Sequence, residues 1–217
     1  MTDLHLTADG HIVCIHDENT RRVARDNLIV RNTTLERLRQ LDVGSANDAR
    51  FQGERIPTLA EVLQTVPAGK FVYLDIKTDV EIIPPLIEQL RNSRLQTCQI
   101  VILAFDAEVI REIKNHAPEF RAHWLCRVRR NRITCRLSPG LEDILDTLRE
   151  SGADGLASRH TGITDEFVRA VIDAGFEHRV WTVNDVRVAE RFAALGSISI
   201  ITNVPATMLG HWHSLDD

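Results

Sequence analysis

The stretch FVYLDIKTDVEIIPPLIEQLRNSRLQTCQIVILAFDAEVIREIKN, residues 71–115, contains the pattern that decides the fold. A short apolar run (71–76) is followed by a segment with apolar residues at helical spacing (81–91), and both patterns recur at 99–104 and 107–115. Nearly continuous apolar runs of this length are typical of strands buried on both faces, and a one-sided apolar stripe is typical of an amphipathic helix. Strict alternation of strand and helix indicates parallel strands joined by crossover helices.

The same alternation extends along the whole chain. Ala8-Asp9-Gly10 supplies a hairpin turn near the N-terminus, and Thr58 with Glu61 has the spacing of a capping box. A closed barrel and an open doubly wound sheet both satisfy this pattern, and the lack of a glycine-rich nucleotide-binding motif favours the barrel. We therefore expect an α/β fold of the TIM-type (β/α)8 barrel in a single domain over residues 1–217. Predicted strands cover residues 3–6, 11–15, 71–76, 99–104, 121–126, 155–157, 179–183 and 198–201, and further predicted helices cover 59–65, 141–151, 164–174 and 186–195.

Composition excludes several classes of protein. A net charge of −5 over 217 residues does not favour binding to nucleic acid, which is itself negatively charged. The basic run RVRRNRITCR (127–136) is interpreted as a solvated loop. No apolar run is long enough to span a bilayer, and no signal-peptide pattern is present. We expect a cytoplasmic protein whose cysteines are reduced, because their spacing fits neither a disulfide framework nor a zinc site. These cysteines are Cys14, Cys98, Cys126 and Cys135.

Polar side chains lie at or near the ends of several predicted strands, where parallel barrels carry their catalytic groups. Asp3 and Asp75 offer the carboxylate oxygens that a hard divalent cation prefers, and Lys77 can neutralise phosphate charge. His16 exchanges a proton readily near neutral pH. Together these groups suit attack on a phosphodiester, in which a metal polarises the phosphoryl oxygen and an imidazole protonates the leaving alkoxide.

Each of these residues also has a purely structural interpretation. Aspartates at strand ends often cap helices or stabilise turns, Trp181 can be core packing, and Lys77 can face solvent. The other histidines form no metal-binding spacing, and we expect them to be structural or surface residues. They include His5, His123, His160 and His178.

Together with their neighbours in the sequence, the candidate site residues form a specific pattern of motifs. The run DLHLTADGHIVCIHDENTRR (3–22) resembles the signature of the glycerophosphodiester phosphodiesterase family, with its T-x-D-G turn, its V-x-H-D motif and a later arginine. Further segments are similar to later motifs of that family in unbroken order. They are YLDIKT (73–78), ILAFD (102–106), VWTVND (180–185) and ISIITNVPATM (198–208).

The resemblance implies a TIM-type barrel that hydrolyses glycerophosphodiesters to sn-glycerol 3-phosphate and an alcohol, with a divalent cation, Ca²⁺ or Mg²⁺. It implies a small-molecule substrate and leaves the alcohol, the metal and the oligomeric state open. Roles carry over to seven positions of this chain. The implied catalytic residues are His16 and Lys77, the metal ligands are Asp3 and Asp75, and the substrate-binding residues are Trp181, Phe105 and Arg22.

Four departures from the family pattern qualify this interpretation. The family's opening H-R-G strand has no counterpart, Met1 stands at the position of a metal-binding glutamate, Asp75 replaces a usual glutamate, and Asn203 replaces an acidic residue. We therefore expect a barrel that lacks its first βα unit. Either the natural protein is longer and active, or the chain is a catalytically dead barrel that binds a phosphorylated ligand or a protein partner. A phospholipase of the sphingomyelinase D type is a third alternative, which the cysteines do not favour.

Overall fold

The computed structural model describes residues 1–131, 134 and 136–213. The chain divides into two compact units, Met1–Arg121 and Ala122–Asp217, and the single domain expected over residues 1–217 stays a prediction. Cys135 lies outside the described residues, whereas Cys14, Cys98 and Cys126 are free thiols. None of the described helices is long and apolar enough to cross a membrane.

The first unit is built on four strands, β1 (Thr2–Leu6), β2 (Ile12–Cys14), β3 (Val72–Ile76) and β4 (Ile100–Ala104). Their order in the sheet is β4–β3–β1–β2, with β2 antiparallel to β1 and the other pairs parallel. The hairpin turn contains Gly10 at a φ of 80°, a conformation that glycine adopts without a steric penalty. The first four predicted strands are thus confirmed to within two residues at each end.

Four helices belong to this unit: α1 (Leu35–Leu38), α2 (Leu59–Thr65), α3 (Ile83–Arg91) and α4 (Ala107–His116). The predicted capping box begins α2, since the Thr58 side chain accepts from the Glu61 backbone N–H and Glu61 in turn accepts from the Thr58 N–H. Both prolines of α3 lie in its first turn, as expected, and a 3-10 turn covers the three residues before it. The short α1 was not predicted, because four residues carry no helical periodicity.

The second unit repeats the βα order after β5 (Arg121–Cys126). A small antiparallel hairpin follows, and the later strands pair in parallel in the order β10–β9–β8–β5. The remaining elements are β6 (Arg129–Arg130), β7 (Leu137–Ser138), α5 (Leu141–Ser151), β8 (Gly155–Arg159), α6 (Asp165–Asp173), β9 (Glu177–Trp181), α7 (Val186–Ala194), β10 (Ser199–Ile200) and α8 (Pro205–His213).

Two sequence interpretations need adjustment in this unit. The predicted strand over residues 179–183 begins and ends two residues earlier, because Glu177 pairs with Gly155 and the ladder with β8 ends at Trp181. The basic run is not simply a loop, since Arg129 and Arg130 pair with Ser138 and Leu137.

Each unit has its own apolar core between sheet and helices. In the first unit, Leu74 and Ile102 of the sheet and Leu86 and Ile110 of the helices are fully buried. In the second unit, fully buried residues include Leu148, Leu156, Val168 and Phe192. Burial of each such side chain stabilises the fold by about 1.5–3 kcal/mol.

A buried histidine, His178, is held in the second unit by two serines. Its Nε2 and Nδ1 atoms lie 2.9 Å from Ser158 Oγ and 2.7 Å from Ser197 Oγ, and its ring stacks on Phe192. Burial, with a smaller contribution from the charge of His123, lowers the pKa of His178 from 6.5 to about 4. The ring is therefore neutral in the folded protein and becomes protonated on unfolding in mild acid.

We expect the protein to lose stability as the pH falls from about 6.5 to about 4, since the unfolded chain binds one more proton at His178 than the folded chain does. The loss attributable to His178 is about 3 kcal/mol between roughly pH 7 and pH 4. Urea unfolding of the wild type and of His178→Asn across this range measures it. The variant is expected to have a shallower pH dependence, and equal slopes for the two proteins would contradict the prediction.

Candidate active site

The centre of the candidate site is a partly buried cluster of two carboxylates and one ammonium group in the first unit. Asp3 of β1 and Asp75 of β3 are directly opposite each other in the parallel ladder. Lys77 follows β3, and its Nζ lies 2.5 Å from Asp75 Oδ2 and 3.2 Å from Asp3 Oδ1. The strand register therefore brings together three of the residues that the sequence analysis singled out.

Burial dominates the electrostatics of Asp75, which is only 4 % exposed. Desolvation raises the pKa of its carboxyl group, and the hydrogen bond and charge of Lys77 oppose this shift. The charge of Asp3 raises the same pKa further, because two carboxylates at close range repel each other. A cation is thus the natural counterpart of this pair, and Lys77 supplies one.

The two carboxylates also leave oxygen atoms available. Within the part of the chain that the structure describes, Asp75 Oδ1 is buried and accepts no hydrogen bond, and buried Asp3 Oδ1 has the ion-pair contact with Lys77 at 3.2 Å. Buried oxygens of this kind fit a hard divalent cation. No group of three His, Cys, Asp or Glu side chains among the described residues could hold a metal ion. A divalent cation at this place stays a prediction, and the residues predicted to bind it are Asp3 and Asp75.

The predicted proton donor, His16, lies just beyond the end of β2 with its side chain 63 % exposed. Its Nδ1 is 2.6 Å from Asp17 Oδ1. Hydrogen bonds from Arg22 and then from His16 hold the pKa of Asp17 well below its usual range. An ionised Asp17 fixes the imidazole with Nδ1–H as the donor, which leaves Nε2 as the atom that can exchange a proton with a ligand.

Arg22 contacts the same aspartate. Its Nε donates to Asp17 Oδ2 at 2.7 Å and its terminal nitrogen donates to Asp17 Oδ1 at 3.1 Å, which makes a bidentate pair. The structure thus gives Arg22 a positioning contact that the sequence did not reveal. Its predicted contact with substrate stays a prediction.

Sequence reasoning missed the place of His5. This residue is 5 % exposed, and its Nε2 lies 3.4 Å from the backbone carbonyl oxygen of His16. Burial is the main cause that lowers the pKa of His5, so the ring is neutral at neutral pH. The sequence did contain a sign of this placement. Residues two apart on a strand share a face, and His5 follows Asp3 by two positions.

A cleft of about 660 Å³ opens beside this cluster within the first unit, and His5, Lys77, Thr78 and Phe105 are among its lining residues. Phe105, which is 39 % exposed, lies after β4. Its ring centroid is 5.7 Å from Lys77 Nζ, within the range of a cation–π contact. The structure therefore places this predicted substrate contact next to the predicted catalytic lysine.

Trp181 ends β9 in the second unit. Its indole Nε1 donates to the carbonyl oxygen of Ala157 at 2.9 Å, and the guanidinium carbon of Arg127 lies 5.7 Å from its ring centroid. The indole is half-buried and held in one orientation. Its predicted role as a pocket wall stays a prediction.

The fold and the charged cluster define a class, an α/β enzyme of the TIM type with acidic and basic groups near the ends of its parallel strands. The chain belongs to the Glycerophosphoryl diester phosphodiesterase family, whose family model matches residues 2–207. This membership makes it a phosphoric diester hydrolase and confirms the resemblance found in the sequence.

Relatives and solved structures agree with this assignment. A glycerophosphodiester phosphodiesterase of Caldanaerobacter subterraneus is 29 % identical over 95 % of this chain and 82 % of its own length. The structure of a phosphodiesterase from Oleispira antarctica, in complex with the product sn-glycerol 3-phosphate, has a TM-score of 0.85 at 22 % identity and covers 100 % of this chain and 84 % of that one. A glycerophosphodiester phosphodiesterase structure from Agrobacterium tumefaciens has a TM-score of 0.75 at 20 % identity, covering 95 % of this chain and 84 % of that one. The structural likeness confirms the predicted α/β fold of the TIM type.

Proposed function

We propose that this chain hydrolyses glycerophosphodiesters to sn-glycerol 3-phosphate and an alcohol, with His16 as the general acid and a divalent cation bound by Asp3 and Asp75. The observation that carries the proposal is the partly buried cluster of Asp3, Asp75 and Lys77, in which Lys77 Nζ contacts both carboxylates. The name of the Caldanaerobacter relative and the product held by the Oleispira enzyme support the choice of substrate.

Asp3 and Asp75 would hold the cation, and Asp75 Oδ1 is a buried oxygen that accepts no hydrogen bond within the described residues. A divalent ion bound there would supply Lewis-acid stabilisation of the negative charge on the phosphoryl oxygens. Lys77 lies on the same carboxylates and reaches the cleft, so its ammonium group would bind a second phosphate oxygen. The protein thus orients the phosphate and offsets its charge before any bond breaks.

His16 would act on the leaving group. An oxygen of water bonds to phosphorus, the bond between phosphorus and the alcohol oxygen breaks, and His16 Nε2 gives its proton to that oxygen. The proton lost by the water restores the imidazolium. Asp17 keeps the ring oriented throughout, because its contact at 2.6 Å is to the other nitrogen.

The direct test is release of sn-glycerol 3-phosphate by the 217-residue chain from glycerophosphocholine and from glycerophosphoethanolamine. We expect release with Ca²⁺ or Mg²⁺ and none after treatment with a chelator, with activity restored when the metal is added back. If a chelator left the activity unchanged, the proposed role of the cation would be wrong. A folded chain that releases no product from either diester with either metal would contradict hydrolysis and favour a barrel that only binds a phosphorylated ligand.

A further inference from the structure

The main chain on either side of the proposed general acid is held by backbone hydrogen bonds. Before it, the Ile15 N–H donates to the Asp3 carbonyl oxygen at 3.0 Å, and after it the Glu18 carbonyl oxygen accepts from the Val30 N–H at 2.9 Å. His16 lies between these two points, beyond the end of β2. A group that transfers a proton must be held precisely, so the main chain that carries it needs support of its own.

One hydrogen bond supplies this support. Among the residues that the structure describes, the main chain of His16 and Asp17 forms a single hydrogen bond, in which His5 Nε2 lies 3.4 Å from the His16 carbonyl oxygen. A carbonyl oxygen only accepts hydrogen bonds, so Nε2 is a protonated nitrogen of His5. Asp17 contacts the His16 ring instead, through its Nδ1. His5 therefore holds the main chain of His16, whereas Asp17 orients its ring.

His5 is itself held in place by the fold. It lies near the end of β1, opposite Val13 of β2, and its side chain is buried. β1 lies between β2 and β3 in the sheet, and packed side chains on such a strand have little freedom to move. Asp3 is on the same strand two residues earlier and projects from the same face. His5 thus connects the strand of one proposed cation ligand to the segment of the proposed acid.

We propose that His5 is a positioning residue for His16, an inference that rests on the proposed hydrolysis with His16 as the acid. Its Nε2–H holds the His16 carbonyl group, which keeps the imidazole at a fixed distance from β1 and from the leaving oxygen. General acid catalysis requires hydrogen-bond reach to that oxygen, and small misplacements of a catalytic group lower the rate. The bond is longer than the usual range of about 2.7–3.2 Å, so a moderate effect is expected.

Three substitutions at His5 separate the donor from the shape of the side chain. His5→Gln keeps an N–H donor near the place of Nε2, His5→Asn carries the same amide on a side chain one methylene shorter, and His5→Leu removes the donor. We expect kcat/KM for glycerophosphocholine to fall about tenfold in the leucine and asparagine variants and to stay within about threefold of the wild type in the glutamine variant. An unchanged leucine variant, or equal losses in all three, would overturn the proposal.

A second comparison asks whether the effect passes through His16. On a 4-nitrophenyl ester of sn-glycerol 3-phosphate, whose phenolate leaves without a proton, His5→Leu should lose about twofold or less. On glycerophosphocholine, adding His5→Leu to His16→Asn should cause no further loss, because residues that act as a unit are not additive. Equal losses of His5→Leu on the two esters, or a further tenfold loss in the double variant, would show that His5 acts on the fold in general.

A measurement without turnover keeps this inference separate from the proposed hydrolysis. The ring signals of His16 are followed by NMR in the full chain with labelled histidine, and His16→Asn assigns them. We expect these signals to move in His5→Leu and His5→Asn and to coincide with the wild type in His5→Gln, with circular dichroism to confirm that each variant is folded. Signals that His5→Leu leaves in place would refute the positioning role. The expected shifts in a chain that releases no product would support the contact and contradict the hydrolysis alone.

Discussion

Replacing Asp75 by asparagine is expected to lower kcat/KM for glycerophosphocholine about a thousandfold, because a metal-assisted site depends on its ligands for several kcal/mol of charge stabilisation. Asp75 is the more buried of the two proposed ligands, and its Oδ1 accepts no hydrogen bond within the described part of the chain. An amide at this position keeps the shape of the side chain and removes its negative charge. Calcium binding, measured by calorimetry, should weaken in parallel with the activity.

The matched variant is Asp75→Glu, which keeps the charge and lengthens the side chain by one methylene. The family resemblance places a glutamate at this position, so the variant is expected to retain activity and calcium binding. Thermal unfolding of both variants shows whether the fold survives the change beside Lys77, whose Nζ loses a partner at 2.5 Å in the asparagine variant. A folded Asp75→Asn chain that binds calcium as tightly as the wild type would remove Asp75 from the cation site.

The second large effect is expected at His16. His16→Asn should reduce kcat/KM for glycerophosphocholine about a thousandfold, because a positioned general acid contributes roughly 10²–10⁴ to the rate when the leaving group is a poorly stabilised alkoxide. The same variant should bind calcium normally, since His16 is paired with Asp17 at 2.6 Å and is not among the proposed ligands. Metal binding and proton transfer are thereby separated in two variants.

A substrate with a better leaving group tests the role of His16 as the acid more directly. A 4-nitrophenyl ester of sn-glycerol 3-phosphate releases a stable phenolate that needs no proton, so His16→Asn should lose about tenfold or less on this substrate. Asp75→Asn, in contrast, should lose activity on both substrates, because the phosphate charge is the same in each. Equal losses of His16→Asn on the two esters would argue that His16 acts by orienting the substrate and not as the acid.

The sequence alone determined most of the elements of the fold. The five apolar residues of β4, the stripe of α3 and the capping box of Thr58 and Glu61 are local patterns, and the structure contains each of them where it was expected. The residue types near the strand ends were also visible, because Asp3, Asp75 and Lys77 interrupt or follow apolar runs. Short-range periodicity and capping depend on neighbours within a few residues, which is why they can be read without a structure.

Only the tertiary structure decided how those residues meet. The placement of Lys77 between Asp3 and Asp75 depends on the register of two strands that are about seventy residues apart, and a slip by one residue would turn a side chain to the other face. The burial of His5 and the contact of Arg127 with Trp181 have the same origin. Local sequence carries no information on the register of remote strands or on the desolvation that packing imposes. The charged cluster of the first unit and the contact of Arg127 with Trp181 in the second are therefore properties of the folded chain.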